Sequence, residues 1–246
     1  YPVMPPNLLA TKLHQPALPP RRVHRAALAQ RLDEGLQAGH CLSLISAPAG
    51  FGKTTCVLEW LAALPRPTAW LSLDSADNDP ARFFTYLAAA LNKVDPSLGR
   101  DIEGALQSGQ LPAPEAIAAA LVNDLLQAPQ PFVLILDDFH LIQESAVLRT
   151  FETLLANLPP QLHLVIITRE DPQLPLARLR AHNRLTEIRA ADLRFSGVDT
   201  TAFLNEVMGL SLTLDEVVEL ENRTEGWIVG LQLAGLSMRG GSDPAA

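Results

Sequence analysis

The sequence predicts an α/β fold: a parallel sheet with helices on both faces, followed by a small helical part. Three observations carry this. Short, nearly continuous apolar runs alternate with amphipathic stretches, the pattern of strands buried on both sides. One such run passes through a glycine-rich turn straight into an apolar-periodic helix. From about Ser196 the strand signals stop and only helical periodicity remains.

Composition supports a well-packed core. The 246 residues are 48% hydrophobic and 19% charged, enough for one large domain and a smaller one. No apolar run approaches the ~18 residues of a membrane span, and no leader pattern opens the sequence, so a cytoplasmic protein without a membrane partner is expected. The net charge of −8 argues against these residues gripping nucleic acid by themselves. The two cysteines, Cys41 and Cys56, fall in apolar elements and read as core residues. The six histidines lack metal-ligand spacing.

Residues 1–27 are proline-rich (Pro5, Pro6, Pro16, Pro19, Pro20) and read as an extended lead-in ending in Arg21, Arg22, His24 and Arg25. A helix over Ala26 to Gln37 stops at Gly39. The first strand is Cys41 to Ser46, with a helix from Lys53 to Leu64. The second strand is Thr68 to Leu73, closed by Asp74. Asp79 reads as an N-cap with Pro80 at N1, starting a helix whose apolar face carries Phe83, Phe84, Leu87, Ala88 and Leu91. A loop containing Gly99, Gly104 and Gly109 leads to a helix over Pro114 to Gln127. The third strand is Phe132 to Leu136, followed by Asp137-Asp138-Phe139 and a helix striped by Val147, Leu148, Phe151, Leu154, Leu155 and Leu158. The fourth strand, Leu162 to Thr168, ends in Arg169-Glu170-Asp171-Pro172, and the fifth is Leu185 to Ile188. Beyond these, Asp199 is expected to cap one helix and Thr213 to Glu216 form a capping box for the next. A last helix is expected over Thr224 to Arg239, with Gly226, Gly230 and Gly235 allowing close packing. The organisation is thus a lead-in (1–27), a sheet domain (28–195), a helical subdomain (196–239) and a disordered tail (240–246).

The chemistry centres on Ser46 to Thr55. Strand, glycine-rich turn and helix N-terminus together make a phosphate cradle. Pro48, Ala49, Gly50, Phe51 and Gly52 supply its backbone, with Gly50 and Gly52 free to take conformations closed to other residues. Lys53 brings a point charge to the β- and γ-phosphates, Thr54 a hydroxyl for Mg²⁺, and Thr55 a contact to the α-phosphate. The strict pattern has glycine at 47, where this chain has Ala47. Asp137, at the tip of the third strand, is placed to hold Mg²⁺ through its water shell, and Asp138 to polarise an attacking water. Arg169, at the tip of the fourth strand, is a candidate γ-phosphate cation, and Arg25 a candidate contact to base or ribose. The plain alternative for each is an acidic turn, a surface arginine or a structural ion pair.

These features indicate the P-loop NTPase fold of the ASCE/AAA-like kind, binding ATP or ADP with Mg²⁺. The loop Ala-Pro-Ala-Gly-Phe-Gly-Lys-Thr-Thr, the segments Leu-Asp-Asp-Phe-His and Ile-Thr-Arg-Glu, and Thr-Glu-Gly-Trp-Ile-Val-Gly-Leu-Gln-Leu-Ala carry a further resemblance. Together with Thr11-Lys12-Leu13 and Val23-His24-Arg25, they resemble the N-terminal ATPase region of the MalT-like, large ATP-binding LuxR-type transcriptional regulators, within the STAND class of signal-transducing ATPases. The resemblance implies an ADP-bound resting form and an ATP-bound form that self-associates when an inducer is present. It also implies a C-terminal helical-repeat sensor for that inducer and a helix-turn-helix domain for DNA, both outside this sequence. In related plant and animal switches a Gly-Leu-Pro-Leu segment touches adenine; here it reads Gly230-Leu231-Gln232-Leu233, placing Gly230 near the base. Asp138, where motor ATPases usually carry glutamate, has a shorter reach to water, which suits a slowly hydrolysing switch. The competing readings are a stand-alone AAA-type motor or loader and a small-molecule kinase; the kinase needs an acceptor pocket and arginine-rich lid that the sequence does not display.

Overall fold

The computed structural model describes residues 8–107 and 111–240. Its elements run α1 (Ala26–Gln37), β1 (Leu42–Ser46), α2 (Lys53–Ala63), β2 (Thr68–Ser72), α3 (Pro80–Asn92), α4 (Arg100–Gln107), α5 (Pro114–Leu126), β3 (Phe132–Asp137), α6 (Ser145–Ala156), β4 (Leu162–Thr168), α7 (Leu176–Ala181), β5 (Leu185–Arg189), α8 (Ala190–Leu193), α9 (Gly197–Thr201), α10 (Leu214–Thr224) and α11 (Ile228–Gly240). The strands form one sheet in the order β2-β3-β4-β1-β5. Every pairing is parallel, with Ser46 of β1 opposite both Thr168 of β4 and Arg189 of β5.

Strand alternation sorts the core into two layers, because successive side chains point to opposite faces. Phe132, Leu134 and Leu136 of β3 join Leu164 and Ile166 of β4 on the face covered by α3, α5 and α6. Val133, Ile135, Val165 and Ile167 face the other way, onto Leu32 of α1 and Val57 and Trp60 of α2. A third core, separate from both, is built by Phe195, Leu204, Met208, Val217 and Leu231, with Val23 of the lead-in packed against it.

Several local expectations are corrected. The lead-in is not wholly extended: Ala10–Leu13 form a 3-10 turn that buries Lys12. The Lys12 ammonium pairs with Asp77 and with Asp74 (3.0 Å), and lies 4.4 Å from the centroid of the Tyr86 ring. The glycine-bearing stretch after α3 contains a helix, α4, because Ile102 finds a place in the core; Gly109 lies outside the described residues. Asp199 is not the cap of α9. Ser196 is, with Asp199 as its N3 partner, and α9 runs on into a π-helical turn over Ala202–Val207. The helix expected over Thr224 to Arg239 is broken. Glu225 and Gly226 take left-handed conformations (φ 50° and 69°), ending α10 before α11 begins. A Cβ on Gly226 would lie 2.5 Å from the Phe195 carbonyl oxygen, so glycine lets this turn lie against the segment leading out of the sheet domain. Gly240 closes α11, and residues 241–246 of the expected tail lie outside the described residues.

Candidate functional site

β1 sits between β4 and β5, while the chain leaving it crosses to β2 at the far edge. This is the switch point at which open parallel sheets bind ligands beyond their carboxyl ends. Ala47 extends the ladder, its N–H donating to the Thr168 carbonyl at 3.3 Å. It has no positive φ, so a methyl group is tolerated where the strict pattern has glycine. The chain then turns through Gly50 (φ 79°) and Gly52 (φ 76°), and Gly52 is the N-cap of α2.

The Lys53 ammonium donates to the Pro48 carbonyl at 3.0 Å, across the mouth of the loop. Burial pulls its pKa down first; Asp138 and Asp137 oppose that shift and Arg169 adds to it. The Thr54 hydroxyl points at Asp137, 3.3 and 3.5 Å from the two carboxylate oxygens. These are long contacts. Asp137 also accepts from the Asp138 N–H at 3.0 Å. Burial, then the neighbouring Asp138, pushes its carboxyl up to about 6. A buried carboxylate so raised, beside a hydroxyl, suits a hard divalent cation that would relieve it. Among the described residues no cluster of three or more acidic, histidine or cysteine side chains could hold a metal by itself.

Asp138 stands beside them in a left-handed conformation (φ 60°), its side chain partly exposed, with His140 Nδ1 at 3.7 Å. Arg169 is exposed at the tip of β4, close enough to lower the pKa of both Lys53 and His140. The tips of β1, β3 and β4 therefore converge, as the sequence placed them.

A cavity of about 430 Å³ opens beside the loop, between the sheet domain and the helical part. Phe51, Gly52 and Thr55 form one wall, Val23 and Arg25 a second, and Phe195 and Ile228 a third. Its size and largely apolar lining are those of a small-molecule site. The Arg25 guanidinium is already committed. It donates to the carbonyls of Asp192 (2.9 Å), Leu193 (3.1 Å) and Arg194 (3.3 Å), and lies 5.3 Å from the Phe195 ring centroid. It braces the exit of the sheet domain and contributes wall, not a free hand over the cavity. Gly230 lies elsewhere, on an outer groove with Pro48, Ala49 and Trp227, where its missing Cβ leaves room for the Trp227 ring. Ile228 and Gln232, not Gly230, face the cavity.

One contact went unread in the sequence. The Trp227 indole N–H donates to the Ala49 carbonyl at 3.1 Å. A Cβ on Gly50 would lie 2.7 Å from Val229 Cγ2, and one on Gly52 2.8 Å from Ile228 Cδ1. The first turn of α11 thus rests on the glycines of the loop. The Gly-Trp pair carried the signal, but nothing local says that an indole will reach 178 residues back along the chain.

Comparison with known proteins agrees with this geometry. Residues 17–167 match the family described as AAA ATPase domain. The chain is 34% identical over 218 residues to the serine/threonine-protein kinase PknK of Mycobacterium tuberculosis, covering 87% of this chain and 20% of that protein. It is 34% identical over 232 residues to the HTH-type transcriptional regulator MalT of Yersinia enterocolitica, covering 94% of this chain and 25% of the regulator. The chain thus spans a quarter or less of these relatives. Among solved structures, a STAND protein with a tetratricopeptide-repeat sensor from Pyrococcus horikoshii superposes with a TM-score of 0.57 at 18% identity, over 89% of this chain and 30% of that one. Among the described residues no helix is long and apolar enough to cross a membrane.

Proposed function

Because this chain belongs to the AAA ATPase domain family, we propose that it is the ATP- and ADP-binding, slowly hydrolysing switch module of a bacterial signal-transducing transcriptional regulator. The observation that carries this reading is the seating of Trp227, Ile228 and Val229 on Ala49, Gly50 and Gly52. A loop that reshapes around phosphates cannot do so without moving the helix resting on it, which is the two-state element a switch requires.

In this reading the backbone N–H groups from Ala49 to Thr54 and the α2 N-terminus hold the phosphates. Lys53 leaves the Pro48 carbonyl for the β- and γ-phosphates. Thr54 and Asp137 would hold Mg²⁺, which when bound neutralises phosphate charge. Asp138 orients the water, and Arg169 answers the charge of the γ-phosphate. The base and ribose occupy the cavity between Phe51, Val23 and Ile228. The short reach of Asp138 keeps hydrolysis slow, so the output is the bound state.

The relatives support the module reading in a specific way. One stretch matches a protein named as a kinase and another named as a transcriptional regulator, so the shared part is the ATPase and the output lies elsewhere. A match to a transcriptional regulator over 94% of the chain supports the transcriptional assignment. In the whole protein, ATP and an inducer would then govern self-association, with inducer and DNA contacts made by other parts.

Trp227 fluorescence and protease cutting near Ser196 test the switch, each measured without nucleotide, with ADP and with a non-hydrolysable ATP analogue. Distinct ADP and ATP states are expected, and Lys53→Ala should abolish both responses together with binding. Identical spectra and cleavage in all three conditions, while calorimetry reports binding, would refute the switch and leave a plain nucleotide site.

A further inference from the structure

We propose that His140 is a positioning residue that holds the Asp138 carboxylate for its work on the attacking water. The proposal rests on the reading of Asp138 given above. Three features of the turn after β3 carry it. Asp138 is kinked into the left-handed region (φ 60°, ψ 38°), which is rare for a residue with a side chain and turns the chain sharply at the tip of the strand. Phe139 then anchors the 3-10 turn Phe139–Leu141: it is wholly buried, with its ring edge-on to Phe151 at 5.6 Å between centroids. With both neighbours fixed, His140 lies back alongside Asp138, and Nδ1 stands 3.7 Å from Oδ1.

That nitrogen is buried and has no hydrogen-bond partner among the described residues. Buried polar atoms are almost always paired, so an orphan aimed at a carboxylate asks for a reason. The gap is too long for a hydrogen bond, yet a modest rotation of the partly exposed carboxylate would close it. Burial keeps the imidazole neutral, and the nearby Lys53 and Arg169 also oppose a proton on it, while Asp138 and Glu170 favour one. A neutral ring with hydrogen on Nδ1 donates to one Asp138 oxygen and leaves the other turned toward water. A short aspartate with two free torsions gains most from such a brace. The ring acts through Asp138 and touches neither nucleotide nor water.

The test compares the chain with His140→Ala, His140→Asn, Asp138→Asn and the His140→Ala/Asp138→Asn double variant, measuring Mg-ATP affinity by calorimetry and hydrolysis at saturating ATP. Affinity should stay within about twofold in the two His140 variants. Turnover should fall about tenfold in His140→Ala. It should recover in part in His140→Asn, whose amide N–H can stand where Nδ1–H does. The double variant should be no slower than Asp138→Asn alone, since two residues acting as one unit are not additive. Additive losses, an asparagine no better than alanine, or affinity falling with turnover would each overturn the proposal. So would a chain that binds ATP and hydrolyses none, though the nucleotide site would stand. A chain that binds no nucleotide overturns the functional reading itself. Should His140→Ala fail to fold, ¹⁵N NMR of the unaltered chain decides: an Nδ1–H tautomer that responds to Asp138→Asn supports the brace, and an Nε2–H tautomer indifferent to it refutes it.

Discussion

Asp137→Asn should stabilise the nucleotide-free protein while removing its response to magnesium and ATP. The carboxyl is raised from 3.8 to about 6, by burial first and by Asp138 second. A folded-state pKa above the unfolded value means that the folded chain prefers the neutral acid. The stabilisation that goes with it is complete below the unfolded pKa and is lost as pH rises through the folded one. At neutral pH, holding the charge therefore costs the fold on the order of 3 kcal/mol, at about 1.4 kcal/mol per pH unit. An amide of the same shape avoids most of that cost but accepts more weakly from the Asp138 N–H and the Thr54 hydroxyl. The net gain should be about 2 kcal/mol, or roughly 4–8 °C in Tm for a chain of this size. The assay is thermal unfolding of both proteins, free of nucleotide and divalent cation, from pH 8 down to pH 4. The gap should shrink through the range between the two pKa values and fall to zero or slightly below it at the acid end, because the parent regains about 3 kcal/mol there. With Mg-ATP added the order should invert, because only the carboxylate gains a cation. A variant less stable than its parent at neutral pH, or a gap that ignores pH, would show the carboxylate to be a satisfied structural group.

Three further outcomes are expected. Gly50→Ala should cost about 1–2 kcal/mol, because the residue sits at positive φ and its Cβ would meet Val229 at 2.7 Å and Trp227 at 2.8 Å; a shifted Trp227 emission should accompany the loss, and unchanged emission would deny the seating of α11 on the loop. His163 is buried between the Ser43 hydroxyl and the His40 carbonyl, and burial drives its pKa down from 6.5 to about 4. Its neutral form stabilises fully above the unfolded pKa, and up to about 3 kcal/mol is lost as pH falls through the folded one; His163→Gln should flatten that acid limb, as urea melts at stepped pH would show. Finally, the chain should show no salt-sensitive shift with promoter DNA, since a net charge of −8 denies it the electrostatic term of even non-specific binding.

The parts of the site that proved legible were local. Gly50, Gly52, Lys53 and Thr54 lie in one strand–turn–helix, and each residue's position follows from its neighbours. Asp137 and Arg169 were readable because an apolar strand that stops at a charged residue marks a sheet edge. The surroundings of Arg25, a wall of the cavity, and of Gly230, in the outer groove, were not legible. Their surroundings depend on how the helical part is set against the sheet, and nothing within ten residues of either encodes that. The break at Glu225 and Gly226 escaped notice because apolar periodicity continues across it. Only contact with the Phe195 backbone makes glycine necessary there.

The sequence by itself determined the alternation of strands and helices, the two-faced burial of the sheet, the phosphate loop and the change of character near Ser196. Each is a matter of periodicity or turn chemistry, which act over a few residues. Tertiary structure alone decided the strand order β2-β3-β4-β1-β5, and with it the meeting of Thr54 and Asp137. It alone committed Arg25 to the carbonyls of Asp192 to Arg194 and laid Trp227 on Ala49. These arise from packing between segments far apart in the chain, where the choice is made by the shape and burial of whole faces and no short stretch carries it.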